Sequence, residues 1–223
     1  MSPSGKLVFL FDVDNTLLDN DRVIADLKHY LEKEVGTDGA QRYWNIFEQL
    51  RGELGYADYL GALQCYHAEN PHDPCLFTVS RFLIDYPFVD RLFPRSLDVI
   101  AHAKQWGLPV ILSDGDVVFQ PRKVVRSGLF DAVNGNVLIY AHKEQELNHV
   151  AQLYPADHYV MVDDKLRILT AIKSFWGRVV TTVFVRQGHY AHDAKSLAGH
   201  PPADATFDQI GDLLNVNMAE LSS

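Results

Sequence analysis

Five short apolar runs constrain this chain most: the one that ends at Asp12, then LPVILS (108–113), NVLIY (136–140), HYVMVDD (158–164) and RVVTTVFV (178–185). Each is of strand length and rich in Val and Ile, and segments of helical periodicity separate them. Runs apolar throughout belong to strands buried on both faces, the situation of a parallel sheet covered by helices. The expected class is α/β, with a Rossmann-like parallel sheet. Residues 94–106 open with Pro94 and close at Gly107, and residues 118–127 close at Gly128, the proline-first and glycine-last order of helices.

Between about 20 and 90 the strand pattern vanishes. DRVIADLKHYLEKEV, GAQRYWNIFEQLRGEL, YADYLGALQCYHA and LFTVSRFLIDY all carry helical spacing. An all-helical insertion directly after the first strand's loop suggests a small second domain above the sheet's carboxyl edge. The expected division is therefore a core of 1–19 plus 90–223 and a helical domain of 20–89. The chain shows no internal repeat and no low-complexity linker.

The 223 residues suffice for one sizeable core carrying a smaller unit. A net charge of −9, with no cluster of Lys and Arg, argues against a nucleic-acid or anionic-membrane surface. The opening MSPSGKLVFLFD holds one lysine and an apolar run too short for a signal peptide or a membrane span. Cys65 and Cys75 do not make a disulfide framework, which suits a reducing compartment, and the expected location is cytoplasmic. With His67 and His72 they spell C-x-H-x4-H-x2-C, but the first spacing is poor for zinc and ordinary thiols are expected.

In open parallel sheets, ligands bind beyond the carboxyl ends of the strands. Chemistry-bearing residues collect there: Asp12, Asp14 and Thr16 after the first strand, Ser113, Asp114 and Gly115 after the second, His142 and Lys143 after the third, Asp163 and Asp164 after the fourth. On an extended segment, side chains two residues apart point the same way, so Asp12 and Asp14 are expected to face one substrate atom. The plainer reading makes both of them caps of the next turn or helix.

This ordered set resembles the haloacid dehalogenase-like hydrolase superfamily, with its DxDxT loop, strand-terminal Ser or Thr, lysine and acidic pair. The resemblance covers 1–19 and 90–215, and the helical insertion falls where that superfamily places a helical cap of the first type. It implies a magnesium-dependent phosphatase acting on a small phosphorylated metabolite through an aspartyl-phosphate. A carboxylate nucleophile divides ester hydrolysis into two easier steps, and a second carboxyl can protonate the leaving oxygen and then activate water. Asp12 takes the first role, Asp14 the second, and Thr16 steadies the loop and Asp14. Ser113, Asp114, Gly115 and Lys143 hold the phosphoryl oxygens. Mg2+ would be bound by Asp12, the Asp14 backbone carbonyl, Asp163 and Asp164, one of that pair through water.

The lysine motif is usually followed by proline, whereas here the run is His142-Lys143-Glu144-Gln145, which also fits a solvated helix start; Lys165 is the second choice. Arg51, Tyr56, His67 and Arg81 are candidate substrate contacts on the insertion. GHYAHDAK, with His189, His192 and Asp193, reads as a solvated loop. Within the fold the rivals are a dehalogenase, a class that lacks an acid at the position of Asp14 and needs no metal, and a mutase similar to β-phosphoglucomutase. A receiver domain would place its acidic pair first and be near half this length, and a silent binding protein is the last alternative. Oligomeric state is not legible.

Overall fold

The computed structural model describes residues 6–222, so the reading of the chain's first five residues lies outside the described residues. Six strands form one parallel sheet: β1 (Leu7–Phe11), β2 (Leu108–Asp114), β3 (Val137–Tyr140), β4 (His158–Asp163), β5 (Val180–Val185) and β6 (Ala205–Phe207). Their order is β3-β2-β1-β4-β5-β6, a Rossmann-like arrangement. Each of the five apolar runs supplies a strand. The sixth was missed, because three half-covered residues carry no periodicity.

The helices are α1 (Asn20–Leu54), α2 (Tyr59–Glu69), α3 (Leu76–Asp85), α4 (Ser96–Ala103), α5 (Phe119–Arg126), α6 (Leu129–Ala132), α7 (Leu147–Leu153), α8 (Leu166–Trp176) and α9 (Ala194–Leu197). None is long and apolar enough to cross a membrane. Alternation along β1 sends Leu7, Phe9 and Phe11 to one core layer and Val8 and Leu10 to the other. Full burial of each such side chain contributes about 1.5–3 kcal/mol, which makes β1 the spine of both layers.

The helical segment follows β1 after a short loop. α1 breaks at Gly36, whose φ of 73° and ψ of 174° no helix contains, so the two helices expected there are the halves of one kinked element. Asp19 caps α1 by accepting from the Arg22 amide at 2.9 Å. The chain leaves and re-enters the sheet region along one seam: the Asp19 amide donates to the Arg91 carbonyl (2.7 Å), and the Phe93 amide to the Leu17 carbonyl (2.9 Å). Aromatic rings continue across it, with Tyr59 packed on Phe119 (centroids 5.1 Å apart) and Phe88 edge-on to Phe119 (5.6 Å).

Candidate active site

β1 ends at Phe11, and the loop beyond it abandons strand geometry. The amides of Leu17 and Leu18 both return to the Val13 carbonyl at 2.9 Å, and Asn15 adopts a φ of 62°. Side chains two apart share a side only while the backbone is extended. Here the two carboxyl groups part. Asp12 accepts from the Lys143 ammonium on Oδ1 and from Thr16 Oγ1, at 3.2 Å, on Oδ2. Asp14 turns to another lysine: Lys123 Nζ lies 2.6 and 2.7 Å from its two oxygens. Two expectations are thereby corrected. Asp12 and Asp14 pair with different cations instead of facing one atom together, and the Thr16 hydroxyl steadies Asp12, not Asp14.

The sheet order sets β4 beside β1, so Asp163 and Asp164 arrive next to Asp12, whose amide donates to the Val162 carbonyl at 3.0 Å. Asp12, Asp163 and Asp164 are all buried, and each offers an oxygen within 4.8 Å of the others. Lys143 opens a 3-10 turn (Lys143–Gln145) and is buried, which removes the solvated-lysine reading. Its ammonium lies 2.7 Å from Asp163 Oδ2 as well as against Asp12. No proline is needed to anchor this turn, because the Lys143 amide donates to Asp114 Oδ1 at 2.7 Å. Asp114 thus positions Lys143 from the neighbouring strand.

Ser113, also buried, accepts from Gln120 Nε2 at 3.0 Å. Ahead of α5, the Asp116 carboxylate accepts from the amides of Val118 (2.8 Å) and Phe119 (2.7 Å). Glycine is required at 115, since a Cβ there would stand 2.6 Å from Gln120 Cβ.

Burial raises the Asp163 carboxyl to about 6, with the Lys143 charge countering only part of the effect. Burial also drives Asp164 well up, and its neighbours Asp163 and Asp12 add to this. For Lys143, burial opposes the charged form, but the carboxylates of Asp12, Asp163 and Asp114 outweigh it and hold the ammonium well above the ordinary lysine range. Both Asp164 oxygens are buried without a hydrogen-bond donor, and Asp163 Oδ2, though close to Lys143, lies outside hydrogen-bond geometry. Buried carboxylate oxygens without donors are costly. A hard cation bound by oxygen ligands would satisfy them together, so the donor set fits Mg2+.

A cavity of about 850 Å3 is lined both by residues of the sheet's carboxyl edge, Asp14 and Gly115 among them, and by residues of α1 and the turn after it, including Arg51 and Tyr56. Of the other candidate contacts, His67 lines a separate small pocket beside Cys75, and Arg81 lines neither. Cys75 Sγ donates to the Glu34 carbonyl at 2.9 Å. The GHYAHDAK loop is more than solvated surface: His189 and Tyr190 line the large cavity, and the Tyr190 hydroxyl accepts from Arg51 Nη2 at 2.7 Å. His189 pairs with Asp21 (Nδ1 to Oδ1, 2.6 Å), whereas Asp193 caps α9.

Sequence reasoning missed Lys123 and its second partner, Asn20 Oδ1, at 3.0 Å. A signal existed in α5, whose buried face carries the polar Gln120 and Lys123 beside Phe119 and Val124 while Val125 is exposed. A lysine on the buried stripe of a helix demands a buried acceptor.

A Rossmann-like sheet with an aspartate nucleophile candidate at its central strand end defines the class of α/β hydrolases to which this site belongs. Residues 7–175 match the haloacid dehalogenase-like hydrolase family, and the chain belongs to it. A crystal structure of a haloacid dehalogenase-like hydrolase from Burkholderia xenovorans is 60% identical, with a TM-score of 0.91 over 95% of this chain and 99% of that one. Two more distant structures share the fold. The HAD-hydrolase YfnB from Bacillus subtilis, bound to magnesium, is 15% identical (TM-score 0.61, covering 94% and 97%). The L-2-haloacid dehalogenase from Xanthobacter autotrophicus is 18% identical (TM-score 0.60, covering 93% and 96%). No curated protein matches the chain.

Proposed function

We propose that this hydrolase is a magnesium-dependent phosphatase that cleaves a small phosphorylated metabolite through an aspartyl-phosphate. The observation that carries the reading is the buried trio of Asp12, Asp163 and Asp164, with Asp163 Oδ2 and both Asp164 oxygens lacking a hydrogen-bond donor among the described residues. Bound there, Mg2+ would offset carboxylate charge against an incoming phosphoryl group. Asp12 attacks phosphorus through a carboxylate oxygen while Ser113 and the Lys143 ammonium face the phosphoryl oxygens. The bond to the leaving oxygen breaks, its electron pair stays with that oxygen, and Asp14 supplies the proton. Water then attacks the aspartyl-phosphate, gives a proton to Asp14, and returns Asp12 with inorganic phosphate released.

Asp14 also weighs against dehalogenation, because a departing halide needs no proton and leaves the carboxyl without work in the first step. The helical segment 20–89 serves as a cap, with Arg51 and Tyr56 reaching the cavity and selecting the leaving group. The test is hydrolysis of 4-nitrophenyl phosphate, with and without Mg2+, beside 2-chloropropionate. Phosphate release that stops in excess chelator supports the reading, and product analysis on a sugar phosphate separates hydrolysis from transfer within the sugar. Halide release without metal, or no turnover at all, overturns it.

A further inference from the structure

We propose that Lys123 is a positioning residue for Asp14, which fixes the orientation of that carboxyl while the aspartyl-phosphate waits for water, and that Asn20 sets Lys123 in place. The inference rests on the phosphatase reading above and assigns a residue outside all four sequence motifs.

The geometry is specific. Lys123 is fully buried, and its ammonium meets both oxygens of Asp14 and Asn20 Oδ1. It also lies 5.5 Å from the ring centre of Phe119 on the same helix. An ammonium has three protons, and these three contacts use them all. Lysine's four-carbon stem is stored along the buried face of α5, so a buried charge is delivered to one loop residue 109 positions away in sequence. A buried cation is retained only against a counter-charge, and among the described residues Asp14 is the one within ion-pair reach of Lys123.

The contact suits one half of the reaction. Once Asp14 has given its proton to the leaving oxygen, Lys123, in contact with both of its oxygens, keeps the carboxyl in a fixed orientation. The next event is attack of water on the aspartyl phosphorus: the new P–O bond forms, the Asp12–phosphorus bond breaks with its electron pair returning to the Asp12 carboxylate, and the water's proton passes to Asp14. Removing Lys123 leaves Asp14 able to rotate, so this step slows.

Helix α5 also carries information from the insertion. Asn20 is the first residue of α1, and Arg122 Nε donates to the Ile84 carbonyl (2.9 Å) while Arg126 Nη2 donates to that of Asp85 (2.9 Å), at the end of α3. One helix thus grips both ends of the helical segment and the proton-handling aspartate. Displacement of Asn20 therefore displaces Lys123, and through it Asp14.

The experiment is stopped-flow release of nitrophenolate from 4-nitrophenyl phosphate by the full chain with Mg2+, comparing wild type, Lys123→Met and Asn20→Ala. This leaving group departs without a proton, so formation of the aspartyl-phosphate should survive in Lys123→Met while its hydrolysis slows by about 100-fold, a general-base contribution of ordinary size. The expected signature is a burst equal to the enzyme concentration followed by a slow steady state, with unchanged kcat/KM. Asn20→Ala should show the same burst with a smaller loss, and it keeps the test open if Lys123→Met does not fold. Lys123→Arg, which keeps the charge, should restore part of the steady-state rate. Equal slowing of both phases without a burst, in whichever variant folds, or an unchanged steady state, overturns the inference. Wild type that releases no nitrophenolate overturns the phosphatase reading instead.

Discussion

Asp14→Ala should cost this protein stability as well as activity, which is unusual for a residue in a polar loop. The substitution strips a fully buried ammonium of its counter-charge: Lys123 loses contacts at 2.6 and 2.7 Å and keeps only Asn20 at 3.0 Å. Breaking a buried pair by removing one partner costs about 3–5 kcal/mol. Asp14 is itself 25% exposed on its side chain, so water enters the vacated space and lowers the figure toward that of a charged hydrogen bond, about 1.5–3 kcal/mol. At roughly 2–4 °C per kcal/mol for a chain of this size, Tm should fall by about 3–12 °C. The assay is thermal melting followed by circular dichroism, for wild type, Asp14→Ala, Lys123→Met and the double variant. Since replacing a buried ion pair by apolar groups is often neutral, the double variant should melt above Asp14→Ala. If Asp14→Ala melted with the wild type, Lys123 would have no need of Asp14, and the argument from its burial would fail.

Asp12→Asn should abolish phosphate release with a far smaller change in Tm, because Lys143 keeps Asp163 at 2.7 Å; melting and a phosphate-release assay check both halves. Adding Mg2+ at about 100 times its Kd should stabilise the fold by about 2.7 kcal/mol, and Asp164→Asn should reduce that shift, read as Tm. Its pH dependence has a definite sign. The Asp163 carboxyl is raised from 3.8 to about 6, so the metal-free protein has its full contribution below 3.8 and loses it as pH rises through about 6; burial raises Asp164 in the same direction. The Mg2+-induced rise in Tm should therefore be larger at pH 7.5 than at pH 5.5, and a flat response would count against the trio. Arg51→Gln alters an exposed cavity residue and should change stability by less than about 0.5 kcal/mol while changing the ranking of phosphorylated metabolites by kcat/KM.

The sheet was legible because five runs apolar on both faces have few other uses, and β6 escaped because three residues at an edge bury too little to leave a pattern. The site's membership was legible for a related reason: in a parallel sheet the strand ends converge, so residues ending separate runs, Asp12, Ser113 and Asp163 among them, must meet at one edge. Orientation was not legible. The positions of Asp12 and Asp14 follow from the strand, but their directions follow from the turn at Val13 and from where two lysines stand, and neither is written in the DxDxT spacing.

That difference bears on how the chemistry is divided. Lys143, placed by Asp114, stands between Asp12 and Asp163, where the proposed reaction needs charge on the nucleophile and the metal ligands to be balanced. Lys123, placed by Asn20, stands at Asp14, where the proposed reaction gives up a proton and takes one back. Were both carboxylates served by one cation, protonation of Asp14 would change the charge felt by Asp12 at the moment it must attack or leave. Separate lysines let each aspartate change state against its own fixed counter-charge. The loop's departure from strand geometry after Phe11 makes that separation, and so the turn at Val13 belongs to the proposed mechanism as much as the two carboxylates that flank it.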